Sequence, residues 1–213
     1  MPLLLSTLLL LLGAAYLMGS IPFGLLFVKA LGGKDVRQHG SGNIGAANVS
    51  RVAGPLAGIL TLVFDAAKGA LPVWAAGRIF ENSATAMMLA GLAALAGHCF
   101  SIWLKFRGGK GVATALGVFA ALSGASTLAA VIAFLLTLTL WRYVSLASVA
   151  AAASMPLLIY FLWAPGHAPP LVINLGTLFA TALIIFQHRA NLRRLAQGTE
   201  PKYSLKKSEG DQT

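Results

Sequence analysis

Residues Val112 to Leu140 read VATALGVFAALSGASTLAAVIAFLLTLTL, without a single charge. The block is long for one membrane crossing and short for two, since an upright span needs roughly 20 residues. Ser123-Gly124-Ala125-Ser126, near its middle, offers a break. Whether the block counts once or twice decides the topology, and the cations on either side settle it. The loop bearing Lys34, Arg37 and Arg51 and the tail bearing Arg189, Arg193, Arg194, Lys202, Lys206 and Lys207 should share the cytoplasmic side. That requires an even number of crossings between them. Counted once, the block gives five; divided, it gives six, and seven in the whole chain. We therefore expect an all-α polytopic membrane protein with seven transmembrane helices, its N-terminus outside and its C-terminus cytoplasmic. Each half of the block is short, so one half is expected to be tilted or sheltered by other helices.

The rest of the sequence agrees with a membrane solution. Hydrophobic residues make up 57% of the 213 and charged ones only 10%, where a soluble domain carries about 25%. Mean hydropathy is +0.78. Further apolar segments run over about 3–31, 52–76, 84–104, 144–163 and 171–186. The first lacks the basic leader of a signal peptide and continues past Gly19, so we read it as a retained span. Net charge is +10. With Arg78 alone among the loop cations expected outside, this charge reads as topological, and no nucleic-acid partner is called for. Cys99 is the only cysteine, which excludes an internal disulfide. No His, Cys, Asp and Glu cluster has zinc-ligand spacing; neither a metal nor a cofactor is expected. A single integral-membrane domain over 1–200 and a polar, flexible cytoplasmic tail over 201–213 complete the organisation.

Three segments on the inner side carry the chemistry. The first runs Gly40-Ser41-Gly42-Asn43-Ile44-Gly45-Ala46-Ala47-Asn48-Val49-Ser50-Arg51. Its glycines let backbone N–H groups turn toward a ligand, and Ser41 or Asn43 can cap the helix that follows. A helix start with free N–H groups binds anions. On that helix Asn48 and Arg51 are expected to share a face. The second segment, Phe106-Arg107-Gly108-Gly109-Lys110-Gly111-Val112-Ala113-Thr114, again places glycines and a cation before a helix. That arrangement suits a nest of N–H groups around phosphate. It is not a nucleotide-binding Walker loop, because Leu104 and Gly111 stand where that pattern needs Gly and Ser or Thr. In the third, Phe186-Gln187-His188-Arg189-Ala190-Asn191-Leu192-Arg193-Arg194, a helix would align His188, Asn191 and Arg194. Together the three suit a ligand carrying one or two phosphates.

Asp65 and Lys68, one turn apart inside the second span, are either an ion pair facing the bundle or the coupling pair of a transporter. The competing reading is accordingly a membrane transporter of a phosphorylated small solute. Against it, the ligand-like groups cluster on one face, and no repeat with broken helices is present. His98, near the inner end of the third span, reads as a hydrogen-bonded interfacial residue rather than a catalyst.

The strings Gly19-Ser20-Ile21-Pro22, Gly40 to Arg51, Gly97-His98, Phe106 to Thr114, and His188-Arg189-Ala190-Asn191 through Glu200 occur in this order. The chain thereby resembles the bacterial acyl-phosphate:glycerol-3-phosphate acyltransferases, the PlsY family, over nearly its whole length. The resemblance implies an inner-membrane, multi-pass acyltransferase with its active site facing the cytoplasm. Its partners would be glycerol 3-phosphate, acyl phosphate and membrane lipid, with functional coupling to an enzyme that produces acyl phosphate. It implies catalytic roles for Ser41, Arg51, Lys110, His188 and Asn191, with Glu200 structural near the site. Substrate phosphate would be held by Gly40, Gly42, Asn43, Asn48, Gly108, Gly109, Gly111 and Thr114. The residues are compatible with that chemistry. Many glycerolipid acyltransferases use a His with an Asp five residues on as general base, but Ile44, Trp103, Val172 and Arg193 stand at those positions after the four histidines. An acyl phosphate, a mixed anhydride with a good leaving group, needs a strong protein base less.

Overall fold

The computed structural model describes residues 2–32, 35–163 and 167–203. Ten α-helices are formed among them: α1 Pro2–Ser20, α2 Phe23–Ala30, α3 Ala46–Ala53, α4 Pro55–Ile79, α5 Ala84–Cys99, α6 Val112–Leu122, α7 Gly124–Trp141, α8 Val144–Leu162, α9 Leu171–Gln187 and α10 Arg189–Ala196. Lys34, Lys206, Lys207 and most of the expected tail lie outside the described residues. The chain is an all-helical membrane protein. Five helical segments are long and apolar enough to cross a bilayer: Leu3–Ser20, Pro55–Ile79, Ala84–Leu104, Gly124–Trp141 and Val144–Leu162. The pair α9 and α10 qualifies as a sixth but bends by 57° between its halves, and α6 is apolar but shorter.

The expected break in the long apolar block falls at Ser123, which is extended (φ −153°, ψ 98°) and whose Oγ accepts from the Ser126 N–H. A serine thus ends one helix and caps the next. A second break was not expected. The segment over 3–31 is not one helix: α1 stops at Ser20 and α2 starts at Phe23. Pro22 has no N–H to continue the ladder and disfavours helical backbone at Ile21.

α5 is the centre of the bundle, with 56% of its apolar window buried, against 17% for α1 and 11% for α7. Leucines such as Leu3, Leu10, Leu128 and Leu140 therefore face outward on the peripheral helices, toward lipid. Where helices cross closely, glycine allows it. A β-carbon at Gly19 would strike the Ala94 carbonyl, and one at Gly97 the Tyr16 carbonyl, so α1 lies backbone to backbone on α5. Gly69 and Gly117 do the same between α4 and α6. Without a hydrophobic force between helices in lipid, such small-residue contacts supply the packing.

Leu104 joins Leu25, Val28, Val36, Ile44 and Val49 in a small apolar cluster, which seats the 100–111 connection on the 35–51 loop. Tyr203 pairs with Arg142 through main-chain and guanidinium hydrogen bonds, adding the start of the tail and the α7–α8 turn. The α4–α5 turn, at the far end of α4 from this cluster, carries Arg78 and Glu81.

Candidate active site

The first loop is built around one side chain. Asn48, 1% exposed, accepts the Ser41 N–H at 2.8 Å and donates to the carbonyls of Val36, His39 and Asn43 at 2.9–3.1 Å. Its amide is fully committed within the loop, so it organises the loop rather than facing a ligand. Asn48 and Arg51 lie three apart on α3, Asn48 turned inward under the loop and Arg51 exposed. Neither Ser41 nor Asn43 is the cap. Gly45 occupies that position, and Asn43 instead accepts the Gly45 N–H in a tight side-chain turn. Gly40 and Gly42 have φ of +60° and +70°, left-handed backbone that favours glycine. Ser41 is left exposed at the tip.

The second loop departs from a phosphate nest at its first two glycines. The Gly108 and Gly109 N–H groups donate to the carbonyls of Cys99 and His98, each at 3.0 Å. A β-carbon at Gly108 would strike the His98 carbonyl, and one at Gly109 the His98 ring. These two glycines therefore let the loop lie flat on the end of α5. The open donors come one step later, because the amides from Lys110 to Thr114 have no acceptor among the described residues. They form the unsatisfied start of α6, where the dipole and free N–H groups favour an anion. The Thr114 hydroxyl is fully buried with no partner among the described residues, and its backbone and methyl group lie against Gly69 of α4.

The third segment lies across this loop. Gln187 donates to the carbonyls of Cys99 and Gly109, both at 3.4 Å. His188, 2% exposed, bonds through Nδ1 to the Ile184 carbonyl at 2.8 Å. A carbonyl only accepts, so Nδ1 carries the hydrogen and Nε2 offers a lone pair. Asn191 and Ser145 both donate to Glu200 Oε1 at 2.7 Å, and Arg194 Nε donates to Oε2 at 2.7 Å. Glu200 is thus a clasp joining α8, α10 and the tail.

Electrostatics tie the segments into one site. Burial pushes the Lys110 ammonium down to about 8; the Glu200 carboxylate opposes this, and the nearby Arg194 and Arg51 charges reinforce it. Burial also pushes His188 down to about 4, against the Ile184 hydrogen bond, and Lys110 adds to the effect. Its imidazole is neutral at pH 7. Burial alone would raise the Glu200 carboxyl, but the hydrogen bonds from Ser145, Asn191 and Arg194 hold it below the usual range. Glu200 is paired with Arg194, whereas Arg51 and Lys110 make no ion pair among the described residues. The site carries surplus positive charge beside open amides. Next to it begins an apolar cavity of about 320 Å³, lined by Val112, Leu116, Phe119, Met155, Thr181 and Ile184 among others. Val112 is two residues from Lys110, and Ile184 holds His188.

Residues 9–198 match the family model described as glycerol-3-phosphate acyltransferase. The chain belongs to this family. It is 46% identical over 190 residues to the glycerol-3-phosphate acyltransferase of Syntrophotalea carbinolica, covering 89% of this chain and 94% of the relative. With that of Trichlorobacter lovleyi identity is 50% over 189 residues, with coverage of 89% and 94%. Among solved structures it is similar to PlsY (YgiH), an integral membrane glycerol 3-phosphate acyltransferase. The glycerol 3-phosphate form gives a TM-score of 0.86 at 39% identity, covering 93% of this chain and 96% of that one. The lysophosphatidic acid form gives 0.85 at 38%, with the same coverage. The protein is an acyltransferase of the PlsY family, and the transporter reading falls. Sequence reasoning passed over Gln187 and Ser145. Gln187 was visible as a polar residue ending an apolar run; nothing in the sequence marked Ser145.

Proposed function

We propose that the protein transfers a fatty acyl group from acyl phosphate to the 1-hydroxyl of glycerol 3-phosphate, releasing lysophosphatidic acid and inorganic phosphate. This would be the first acylation of phospholipid synthesis. The observation that carries the reading is the junction of two environments: unpaired Arg51 and Lys110 with open amides on one side, and the apolar cavity starting at Val112 and Ile184 on the other. A substrate with phosphates joined to an acyl tail matches both. The hydroxyl oxygen attacks the acyl carbon, the bond from that carbon to the phosphate oxygen breaks, and the departing phosphate takes the hydroxyl proton. Arg51, Lys110 and Ser41 hold the phosphates, and the start of α6 at Gly111 supplies amide donors. His188 Nε2 accepts from the acceptor's second hydroxyl and so orients the attacking one, while Asn191 completes the contact, held by Glu200. Gly40, Gly42, Asn43, Asn48, Gly108, Gly109 and Thr114 shape the two loops. No cofactor or metal enters these steps.

The topology proposed with it is seven crossings in a bacterial inner membrane, with α6 the short one, the N-terminus outside and the site cytoplasmic. One integral domain spans 1–200, and an acyl-phosphate-producing enzyme supplies the donor. The deciding assay offers purified protein glycerol 3-phosphate with palmitoyl phosphate or palmitoyl-CoA. Turnover confined to palmitoyl phosphate is expected, and equal use of palmitoyl-CoA would overturn the donor assignment. For topology, cysteines placed in a Cys99→Ser background at Ser83 and Pro169 should label from outside, and ones at Ser41 and Ser208 should not.

A further inference from the structure

Directly beneath the second loop lies a charged cluster that the proposed reaction does not use. Asp65 and Lys68 of α4 are each 2% exposed and paired at 2.8 Å. Lys68 Nζ also donates to the Ile21 carbonyl at 2.7 Å, which lies in the elbow between α1 and α2. Ser101 reinforces the same elbow by donating to the Ser20 carbonyl at 2.6 Å. Asp65 Oδ1 lies 3.8 Å from His98 Nδ1. Asp65 Oδ1 has the Lys68 ammonium, whereas His98 Nδ1 and the Thr114 hydroxyl are buried with no hydrogen-bond partner among the described residues.

A buried ion pair inside a membrane bundle is costly and adds little net stability. Its location suggests another use. The far side of the His98 ring faces Gly109, and the His98 carbonyl accepts the Gly109 N–H. One residue further on is Lys110. A shift in the His98 ring is therefore transmitted to the loop by contact, with no intervening flexible segment. We infer that Asp65 and Lys68 are positioning residues: Asp65 sets the His98 ring against Gly109, fixing where Lys110 and the open amides of α6 meet the acceptor's phosphate, and Lys68 locks the adjoining elbow. The inference rests on the reading of this loop as the glycerol 3-phosphate site.

The test uses the full-length protein in detergent or bilayer, with Asp65→Asn, His98→Ala and the two combined. Two readouts are taken: separate KM values for glycerol 3-phosphate and palmitoyl phosphate, and the labelling rate of the sole cysteine, Cys99, by a membrane-permeant maleimide. The Cys99 carbonyl holds the Gly108 N–H, so its labelling reports on the loop without reference to catalysis. Asp65→Asn should raise the KM for glycerol 3-phosphate about tenfold, leave that for palmitoyl phosphate within about twofold and speed labelling. In the His98→Ala background the same change should add nothing, because the two act in series. Additive effects, or equal shifts for both substrates alongside a lowered Tm, overturn the inference, as does no change in either readout. If labelling follows the coupled pattern while the glycerol 3-phosphate KM stays fixed, the positioning stands and the assignment of that substrate to the loop falls. Should Asp65→Asn fail to accumulate because it strands the Lys68 charge, Asp65→Asn with Lys68→Met removes both charges and is judged by the same criteria.

Discussion

The two glycine-rich loops look alike in sequence, each running from glycines through a polar stretch to a helix start, yet they are held by opposite means. The 40–51 loop is organised from inside by one buried asparagine, Asn48, whose amide bonds to four backbone groups of its own segment. The 106–111 loop is organised from outside, by the last carbonyls of α5 and by Gln187 of α9. Their cations differ accordingly. Arg51 is exposed on α3, directly after a loop tied together by its own asparagine, whereas Lys110 is half-buried. A glycine-cation-helix pattern therefore marks a candidate anion site without saying which N–H groups remain open or what holds the backbone in place.

The contrast breaks most visibly at Asn48. Asn48→Asp keeps the acceptor for the Ser41 N–H but removes the donors to Val36, His39 and Asn43, and aims a carboxylate at three carbonyls. Stranding buried polar groups and a charge in this way costs several kcal/mol. Activity should fall on the order of 1,000-fold or more, accompanied by a lower yield of folded protein, as read from turnover and from thermal unfolding. A variant that folds and turns over normally would show that this loop, too, is held from outside.

Arg51→Lys comes next. Guanidinium holds a phosphate through two parallel hydrogen bonds, where ammonium acts as a point charge. Losing one such oriented donor costs about 3–4 kcal/mol at the transition state, roughly two to three orders of magnitude in rate. Arg37→Lys, in a surface ion pair with Asp35, should leave turnover almost unchanged. Turnover of both variants, with Tm measured alongside, separates a lost contact from lost folding. Near-normal turnover by Arg51→Lys would reduce Arg51 to a topological charge.

The helices were legible from apolar blocks because these follow from the cost of exposing polar groups to lipid. The break at Ser123 could be read for the same reason. The elbow at Pro22 was overlooked because an uninterrupted apolar run outweighed a single proline. The site segments were legible as motifs, but the partners of their N–H groups were not, since those partners come from residues remote in sequence. Gly109 illustrates this. Its missing side chain reads as room for a phosphate, yet the His98 ring occupies that side. The Ser145 bond to Glu200 likewise depends on how α8 meets the tail, which no local pattern encodes.

The smallest effect expected, and the one that best separates the loops, is a pH dependence. Burial pushes the Lys110 ammonium down to about 8; the Glu200 carboxylate opposes this, and the Arg194 and Arg51 charges reinforce it. Below that pH it is an ammonium able to hold the acceptor's phosphate; as pH rises through about 8 it loses its proton and its charge. Guanidinium groups do not titrate in this range, so an alkaline limb of this origin belongs to the 106–111 loop and not to the 40–51 loop. Because kcat/KM reports groups of the free enzyme, kcat/KM for glycerol 3-phosphate should decline about tenfold per pH unit above about 8. In Lys110→Arg the level should be lower, since a forked guanidinium does not reproduce the ammonium's geometry, but the decline should vanish from this range. Profiles from pH 6 to about 9.5 for the wild type and both Lys110→Arg and Arg51→Lys provide the check. An identical alkaline limb in wild type and Lys110→Arg would place the titrating group elsewhere and remove the distinction between an outer, permanent charge and an inner, titratable one.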